Sequence, residues 1–366
     1  MKSQPEIQNT IQIANRNIGE GYPCFIIAEI GVNFNGDLEL AKKTIDAAAV
    51  CGADAVKFQT FHADEFVANR DLKYTYKLFD GTEITESQYD MFKRLELPNS
   101  WHKILQDHAK NKGVFFLSSV ADKDAVDLLD SLNVPAFKLA SEDLINIDLL
   151  EYVATKKRPV ILSTGMADVS EIERALEIFI SADQKDIIIL HCVSAYPTPL
   201  DSCNLRRISS MSNYFPFPIG FSDHTEGFEA GMLSIGIGSC MLEKHFTLDK
   251  RLNGPDHKMS SDPIQFKKLV KMIRKSEAML GSKELTFAPI EEKGRNEFRR
   301  SIVAKRDIDK GEIITKDLLA YKRPGGGLKP YQRTLILGKY CSRKILENEQ
   351  ILLSELKLKT NQNDGE

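Results

Sequence analysis

The stretch that decides the fold runs from CFIIAEIG (24–31) through LELAKKTIDAAAV (38–50) to DAVKFQTF (54–61). A short run rich in Ile, Val and Phe ends in polar residues. A segment with Leu40, Ile45 and Ala48 on one helical face follows, and then a second such run. Continuous apolar runs of this length read as strands buried on both faces, and the segment between them reads as an amphipathic helix. The theme repeats in VFFLSSV (114–120), AFKLAS (136–141), VILSTG (160–165), IIILHCVSAYP (187–197), PIGFSDH (218–224) and CMLEKHF (240–246). Further helices are predicted over 122–132, opened by an aspartate cap, 169–180 and 263–280. Eight strands alternating with helices predict a (β/α)8 TIM barrel over residues 15–281. An open doubly wound sheet is the rival, but no G-x-G-x-x-G follows the first strand.

Working outward, residues 62–98 form a long connection of mixed charge and aromatic content, read as a flap or an interface element. Residues 282–299 are charged and linker-like. Residues 300–357 hold short β-branched pieces, a D-K-G-E turn (309–312) and a P-G-G-G loop (324–327). Sixty residues of short strands make a marginal core, so this small β domain should lean on its own barrel or on a second subunit. The tail KTNQNDGE is polar and is expected to be disordered.

Of 366 residues, 49 are basic and 52 acidic, for a net charge of -3. That balance argues against nucleic acid as a partner. No apolar run approaches the roughly 18 residues of a membrane span, and the opening MKSQPEIQNT lacks the apolar core of a secretory signal. The six cysteines form no C-x-x-C pair, which predicts free thiols in a reducing, cytoplasmic setting.

In such barrels the chemistry sits at the carboxyl ends of the strands. Those ends carry Glu29, Asn33, Lys57, Gln59, Ser118, Ser119, Lys138, Ser141, Glu142, Asp143, Ser163, Thr164, Ser194, Tyr196, Ser222, Asp223, His224, Glu243 and His245. Lysine is seldom buried without a partner. Lys57 and Lys138, inside AVKFQ and AFKLA, therefore pair with a carboxylate such as Glu29, or face an anion among the serine hydroxyls, or include a Schiff-base lysine. His224 and His245 close neighbouring strands and are either structural or a site for a divalent metal. Asp143 or Glu142 is a candidate for proton transfer. Asp256, in N-G-P-D, is a turn residue or a partner for a substrate hydroxyl. Arg323, in K-R-P-G-G-G, is a weak signal alone.

AEIGVNFNG (28–36), GADAVKFQT (52–60), FKLAS (137–141), ILSTGM (161–166), HCVSAYPTP (191–199), GFSDHT (220–225), EKHFT (243–247) and GPD (254–256) together resemble the sialic acid synthase family. RSIVAKRDI (300–308), GEIIT (311–315) and KRPG (322–325) resemble that family's SAF (antifreeze-like) domain. The resemblance implies condensation of phosphoenolpyruvate with an N-acetylated hexosamine aldehyde, giving a nonulosonic acid and phosphate, with Mn2+ or Mg2+. It implies that Lys57, Ser119, Lys138, Ser141, Ser163, Ser194 and Ser222 hold phosphoenolpyruvate, and that His224 and His245 bind the metal. Glu29, Gln59, Asp143, Tyr196 and Asp256 would face the sugar. Arg323 would reach the partner's site in a domain-swapped homodimer. Phe34 stands where many members carry His, and Glu142 where Gly is frequent, beside an acid–base position that is often Glu. The residues alone leave open a Schiff-base aldolase acting through Lys57 or Lys138, and a non-catalytic carbohydrate-binding protein.

Overall fold

The computed structural model describes residues 10–358; the polar opening before Thr10 and the tail KTNQNDGE lie outside them. The chain divides into two compact units, Met1–Gly281 and Ser282–Glu366. The first contains a closed barrel of eight parallel strands, as the repeated runs predict. They are β1 (Phe25–Gly31), β2 (Ala55–Thr60), β3 (Phe115–Val120), β4 (Phe137–Leu139), β5 (Val160–Ser163), β6 (Ile187–Cys192), β7 (Ile219–Asp223) and β8 (Met241–His245). Each pairs with its sequence neighbours, and β8 returns to β1 with His245 opposite Glu29.

Among the described residues, eight helices surround the barrel: α1 (Leu38–Cys51), α2 (Asn99–Asn111), α3 (Lys123–Ser131), α4 (Ile147–Thr155), α5 (Val169–Ser181), α6 (Arg206–Tyr214), α7 (Glu229–Gly236) and α8 (Pro263–Leu280). Their starts follow from local chemistry. Asp37 accepts from Glu39 N and Leu40 N, and Asp122 accepts from Ala125 N. Asp262 forms a capping box with Gln265, with Pro263 in the first turn of α8. Such caps each contribute about 1 kcal/mol.

Period-two alternation divides the strands. Ile26, Ala28, Val56, Phe58 and Leu139 face the helices in one core, whereas Phe25, Ile27, Ala55, Leu117, Ile161, Ile188 and Met241 fill the barrel's lower interior. An antiparallel hairpin, Thr10–Ile13 with Arg16–Gly19, adds Ile11, Ile13 and Ile18 to that lower core. It begins ahead of the boundary read at residue 15. Arg16 and Arg274 both reach Asp54, at 2.8 and 3.0 Å.

The 62–98 connection is built rather than irregular. It holds a short helix (Ala63–Phe66), an antiparallel hairpin (Lys73–Lys77 with Glu83–Ser87) and a helix (Gln88–Leu95).

In the second unit, residues 282–299 carry a helix at Glu292–Glu297. Beyond it, Ser301–Ala304 pairs antiparallel with Leu319–Lys322, and Tyr340–Cys341 with Leu356–Lys357. Ile302, Ile308, Ile314, Ile336, Ile345 and Ile351 form its own small core. Among the described residues, no helix is long and apolar enough to cross a membrane, and all six cysteines are free and buried.

Candidate active site

The alternation that fills the lower barrel with apolar side chains turns polar one layer higher. Glu29 follows Ile27 by two positions, Lys57 follows Ala55, and Glu243 follows Met241, so all three point inward near the strands' carboxyl ends. The register places Glu29 beside Lys57, Gln59 beside Ser119, Ser119 beside Lys138, and Ser222 beside Glu243. These groups line a cavity of about 200 Å³. Of the candidate residues read from the sequence, Asn33, Ser118, Thr164, Ser194, Asp223 and Arg323 are not among those that line it, and the others are.

On the floor, two ammonium groups share carboxylates. Lys57 Nζ lies 3.0 Å from Glu29 Oε2 and 3.7 Å from Glu243 Oε1. Lys138 Nζ lies 3.9 Å from Glu243 Oε1 and donates to Ser163 Oγ at 2.7 Å and Leu139 O at 3.0 Å. All four side chains are buried. Burial opposes the charge on Lys57, but Glu243 and Glu29 outweigh it and hold its pKa up. Burial lowers that of Lys138 despite Glu243. Burial pushes the Glu29 carboxyl up to about 7, with Glu243 adding to the rise against Lys57. Glu243 is held low, because Lys138 and Lys57 outweigh its burial. Glu243 is the centre of this cluster, and sequence reasoning gave it no role. Its signal was its position, two residues before His245 at the end of an apolar strand.

His224 and His245 face each other with ring centroids 5.6 Å apart, and Tyr196 packs on both, at 4.3 and 5.9 Å. His224 Nδ1 lies 2.8 Å from Val193 O. A carbonyl only accepts, so Nδ1 carries the proton and Nε2 keeps its lone pair. Burial lowers both imidazole pKa values, that of His245 well below the usual range with His224 adding to the effect. His245 Nδ1 is buried without a hydrogen-bond partner, 3.8 Å from Asp256 Oδ2. Two neutral imidazoles, one of fixed tautomer and one with an unused ring nitrogen, fit a borderline divalent cation. Among the described residues, no group of three or more His, Cys, Asp or Glu is disposed to hold a metal. A cation on this pair would therefore keep most positions for water and substrate.

Two carboxyls complete the rim. Asp143 is buried, and burial with the neighbouring Glu142 pushes it up to about 7. Glu142 is exposed. A carboxyl that titrates near neutrality suits proton transfer, which favours Asp143 over Glu142. Burial raises Asp256 to about 6. Its loop is tied down by hydrogen bonds the sequence did not reveal. Ser260 Oγ donates to Asp256 O at 2.6 Å, and Asn33 Nδ2 donates to Ser260 Oγ at 2.9 Å. His257 bridges Thr247 Oγ1 at 2.7 Å and Asn35 Oδ1 at 3.1 Å. A side chain on Gly254 would come within 2.8 Å of the His257 ring, so the close approach there requires glycine.

The remaining wall comes from the 62–98 segment and the ends flanking it. Phe61, Phe66, Tyr74, Met91, Phe92 and Leu95 line the cavity together with Gln88. Mixed charge in this segment hid that wall from sequence reasoning. Ser141 Oγ accepts from Gly165 N at 3.0 Å. A Cβ on Gly165 would lie 2.3 Å from Ser194 Oγ, so Ser194 sits behind this turn, its hydroxyl buried without a partner, rather than on the cavity wall. Arg323 belongs to the second unit, where it is exposed and lies 5.5 Å from the Phe298 ring centroid. Phe34 is fully buried against Phe58 and Trp101, so its side chain serves the core.

Three comparisons bear on this site. A model of the NeuB family matches residues 44–285, and a model of the SAF domain matches residues 299–357. The chain is 42% identical over 328 residues to the N,N'-diacetyllegionaminic acid synthase of Campylobacter jejuni, covering 89% of this chain and 98% of that protein. It is 38% identical over 311 residues to human N-acetylneuraminate-9-phosphate synthase, covering 84% of this chain and 85% of the human protein. A crystal structure of N-acetylneuraminic acid synthetase from Leptospira borgpetersenii in complex with citrate superposes with a TM-score of 0.72 at 33% identity, covering 80% of this chain and 96% of that one. With a barrel of this geometry and matches along both units, the chain belongs to the NeuB family and ends in a SAF domain.

Proposed function

We propose that the protein is a nonulosonic acid synthase that condenses phosphoenolpyruvate with the aldehyde form of an N-acetylated hexosamine. The products are a nine-carbon 2-keto acid and phosphate. The observation that carries this reading is the pair of buried ammonium groups, Lys57 and Lys138, in the same cavity as two neutral imidazoles. Phosphoenolpyruvate brings a phosphate and a carboxylate. The two lysines, with the hydroxyls of Ser119, Ser141, Ser163 and Ser222, offer charge-assisted and neutral donors to both. Glu29 titrates near neutrality, so it takes up a proton as the anion enters and leaves Lys57 free to turn to the ligand.

A carbon–carbon bond forms between C3 of phosphoenolpyruvate and the aldehyde carbon. Water adds at C2, and the C2–O bond to the phosphoryl group breaks. Asp143 holds the proton that the aldehyde oxygen takes up. One proton of the water restores Asp143 and the other leaves with phosphate. Gln59, Tyr196 and Asp256 orient the sugar at the rim. A divalent cation, Mn2+ or Mg2+, bound by His224 and His245 would supply Lewis-acid polarisation of the sugar carbonyl. Fixed charges aimed at developing charge supply the largest share of such catalysis. Arg323 is assigned to the site of a second subunit in a domain-swapped homodimer, a role supported by the family resemblance and by its exposure. Six free, buried thiols support a cytoplasmic setting.

The test is to incubate the protein with phosphoenolpyruvate, Mn2+ and a panel of hexosamines, measuring phosphate and the product mass. Phosphate release with a nine-carbon product, stopped by EDTA, is expected. A borohydride-trapped pyruvate adduct would instead mark a Schiff-base aldolase, and sugar binding without phosphate release would mark a binding protein.

A further inference from the structure

We propose, resting on the synthase reading above, that His102 of α2 is a positioning residue for the condensation: from the helix side of the barrel wall it holds Gln59 and Ser119 in place through the hydroxyls of Thr60 and Ser118. Gln59 lies opposite Ser119 in the β2–β3 ladder, and both line the cavity. Their neighbours Thr60 and Ser118 alternate to the other face, toward α2. There Ser118 Oγ lies 2.7 Å from Thr60 Oγ1, and Thr60 Oγ1 lies 2.8 Å from His102 Nε2. His102 Nδ1 lies 3.2 Å from Pro98 O. All three side chains are buried.

Each proton in this chain has one direction. Burial lowers the His102 pKa, so the neutral ring carries a single N–H. Pro98 O only accepts, which places that proton on Nδ1 and leaves Nε2 to accept from Thr60. The Thr60 hydroxyl proton is then engaged, so Ser118 donates to Thr60 and not the reverse. An imidazole and two hydroxyls thus tie β2 to β3 in one arrangement, which apolar packing alone would not specify. The tie sits at the level of the site. Gln59 Nε2 donates to Glu29 Oε1 at 2.9 Å, and Ser119 stands beside Lys138 in the register. The same ring joins the two ends of the 62–98 connection, because Thr60 stands two residues before it and Pro98 is its last residue. Ala63 N donates to Glu96 Oε1 at 2.6 Å across the same base. One buried ring therefore fixes two groups of the cavity and the root of the wall that carries Phe66, Tyr74 and Phe92. Groups that take part in a reaction must be held to within about 0.5 Å, so slack in this tie is felt as lost rate.

Removing one partner and removing all of them separate positioning from mere support. His102→Phe keeps the bulk of the ring but leaves the Thr60 proton without an acceptor. It should lower the unfolding midpoint, and kcat/KM for phosphoenolpyruvate should fall about 10-fold. Adding Thr60→Val and Ser118→Ala takes away the unpaired hydroxyls, and the midpoint should return toward wild type. In this apolar triple variant kcat/KM should stay about 10-fold down. His102→Gln, whose amide oxygen can accept from Thr60, should recover to within about threefold of wild type. The affinity for Mn2+, measured without substrates, should be the same in every variant, because His224 and His245 stand at the ends of other strands. If the phenylalanine variants do not fold, Ser118→Ala alone should lower kcat/KM about threefold with Mn2+ affinity unchanged. A triple variant as active as wild type, a Ser118→Ala variant with full activity, or a loss of Mn2+ affinity that parallels the loss of rate would each overturn the inference and leave the synthase reading standing. No phosphate release by wild type with phosphoenolpyruvate, Mn2+ and any of the hexosamines overturns the synthase reading, and the inference falls with it.

Discussion

Lys244 and Lys138 are both fully buried lysines in strands of one barrel, yet they sit on opposite faces of its wall. Lys244 points outward from β8. Its Nζ lies 2.8 Å from Asp223 Oδ2 and 2.6 Å from Thr225 O, while Asp223 Oδ1 accepts from the backbone and hydroxyl of Thr225. That set is closed. Lys138 points inward, into a set that is open. Glu243 Oε2 and His245 Nδ1 are buried there without a hydrogen-bond partner, and Glu29 Oε2 has only the Lys57 ammonium, at 3.0 Å. A buried polar atom left unpaired costs about 1 to 3 kcal/mol, so the inner set is less stable than it could be. Closed networks hold a fold together, whereas open ones are arranged for a ligand that supplies the missing partners.

The largest expected effect probes the closed side. Asp223→Ala leaves the buried Lys244 ammonium without its counter-charge, held only by Thr225 O, and should destabilise the first unit by about 3 to 5 kcal/mol, read by denaturant unfolding. Loss of less than about 1 kcal/mol would erase the contrast. On the open side the outcome should invert. Lys138→Met should lower kcat/KM for phosphoenolpyruvate by about 10² to 10³ while leaving the unfolding midpoint unchanged or higher. Equal loss of stability in the two variants would mean that Lys138 is structural too.

The contrast also explains what the sequence could disclose. Eight apolar runs with capped helices between them are local signals, and α1 and α8 lie within a residue of the predicted 38–50 and 263–280. Lys57 and Lys138 stood out because apolar neighbours flank them. Lys244 did not, because Glu243 and His245 surround it. Which of these neighbours faces inward depends on ring closure, a long-range condition that no short window contains. The same limit hid the hairpin under the barrel and the ring cluster of residues 61–95, whose partners lie on other strands and loops. Phe34 looked like a lost polar group and proved to be core, because its side chain turns toward Trp101.

A third prediction separates the two regions by pH. Asp143 has its pKa raised in the folded protein to about 7, from an unfolded value near 4. Stability from such a group is full below the unfolded value and is lost as pH rises through about 7; Glu29, also raised to about 7, acts with the same sign. Asp143→Asn should therefore lose less stability than wild type between pH 5 and pH 8, by on the order of 2 kcal/mol, and its kcat should fall about 10²-fold. An unaltered pH profile of stability would remove Asp143 from the open set.

The smallest expected effect concerns the bridge between the two kinds of network. The His257 clamp is closed in itself, yet it carries Asp256, which belongs to the open rim. Burial lowers the His257 pKa to about 4, so its ring is neutral at pH 7. Asn35 Oδ1 only accepts, which puts the proton on Nε2 and leaves Nδ1 to accept from Thr247. Asn35 Nδ2 in turn donates to Asn253 O at 2.8 Å, fastening the start of the same loop. Removing the ring with His257→Ala frees the loop without touching the floor. The KM for the acceptor sugar should then rise about fivefold, equivalent to about 1 kcal/mol, with kcat and the KM for phosphoenolpyruvate within about twofold of wild type. Gln, which can make both hydrogen bonds, should restore most of the loss. A purely structural histidine would change both KM values together, or neither, and a fall in kcat alone would assign the clamp to the reacting groups rather than to the placement of Asp256.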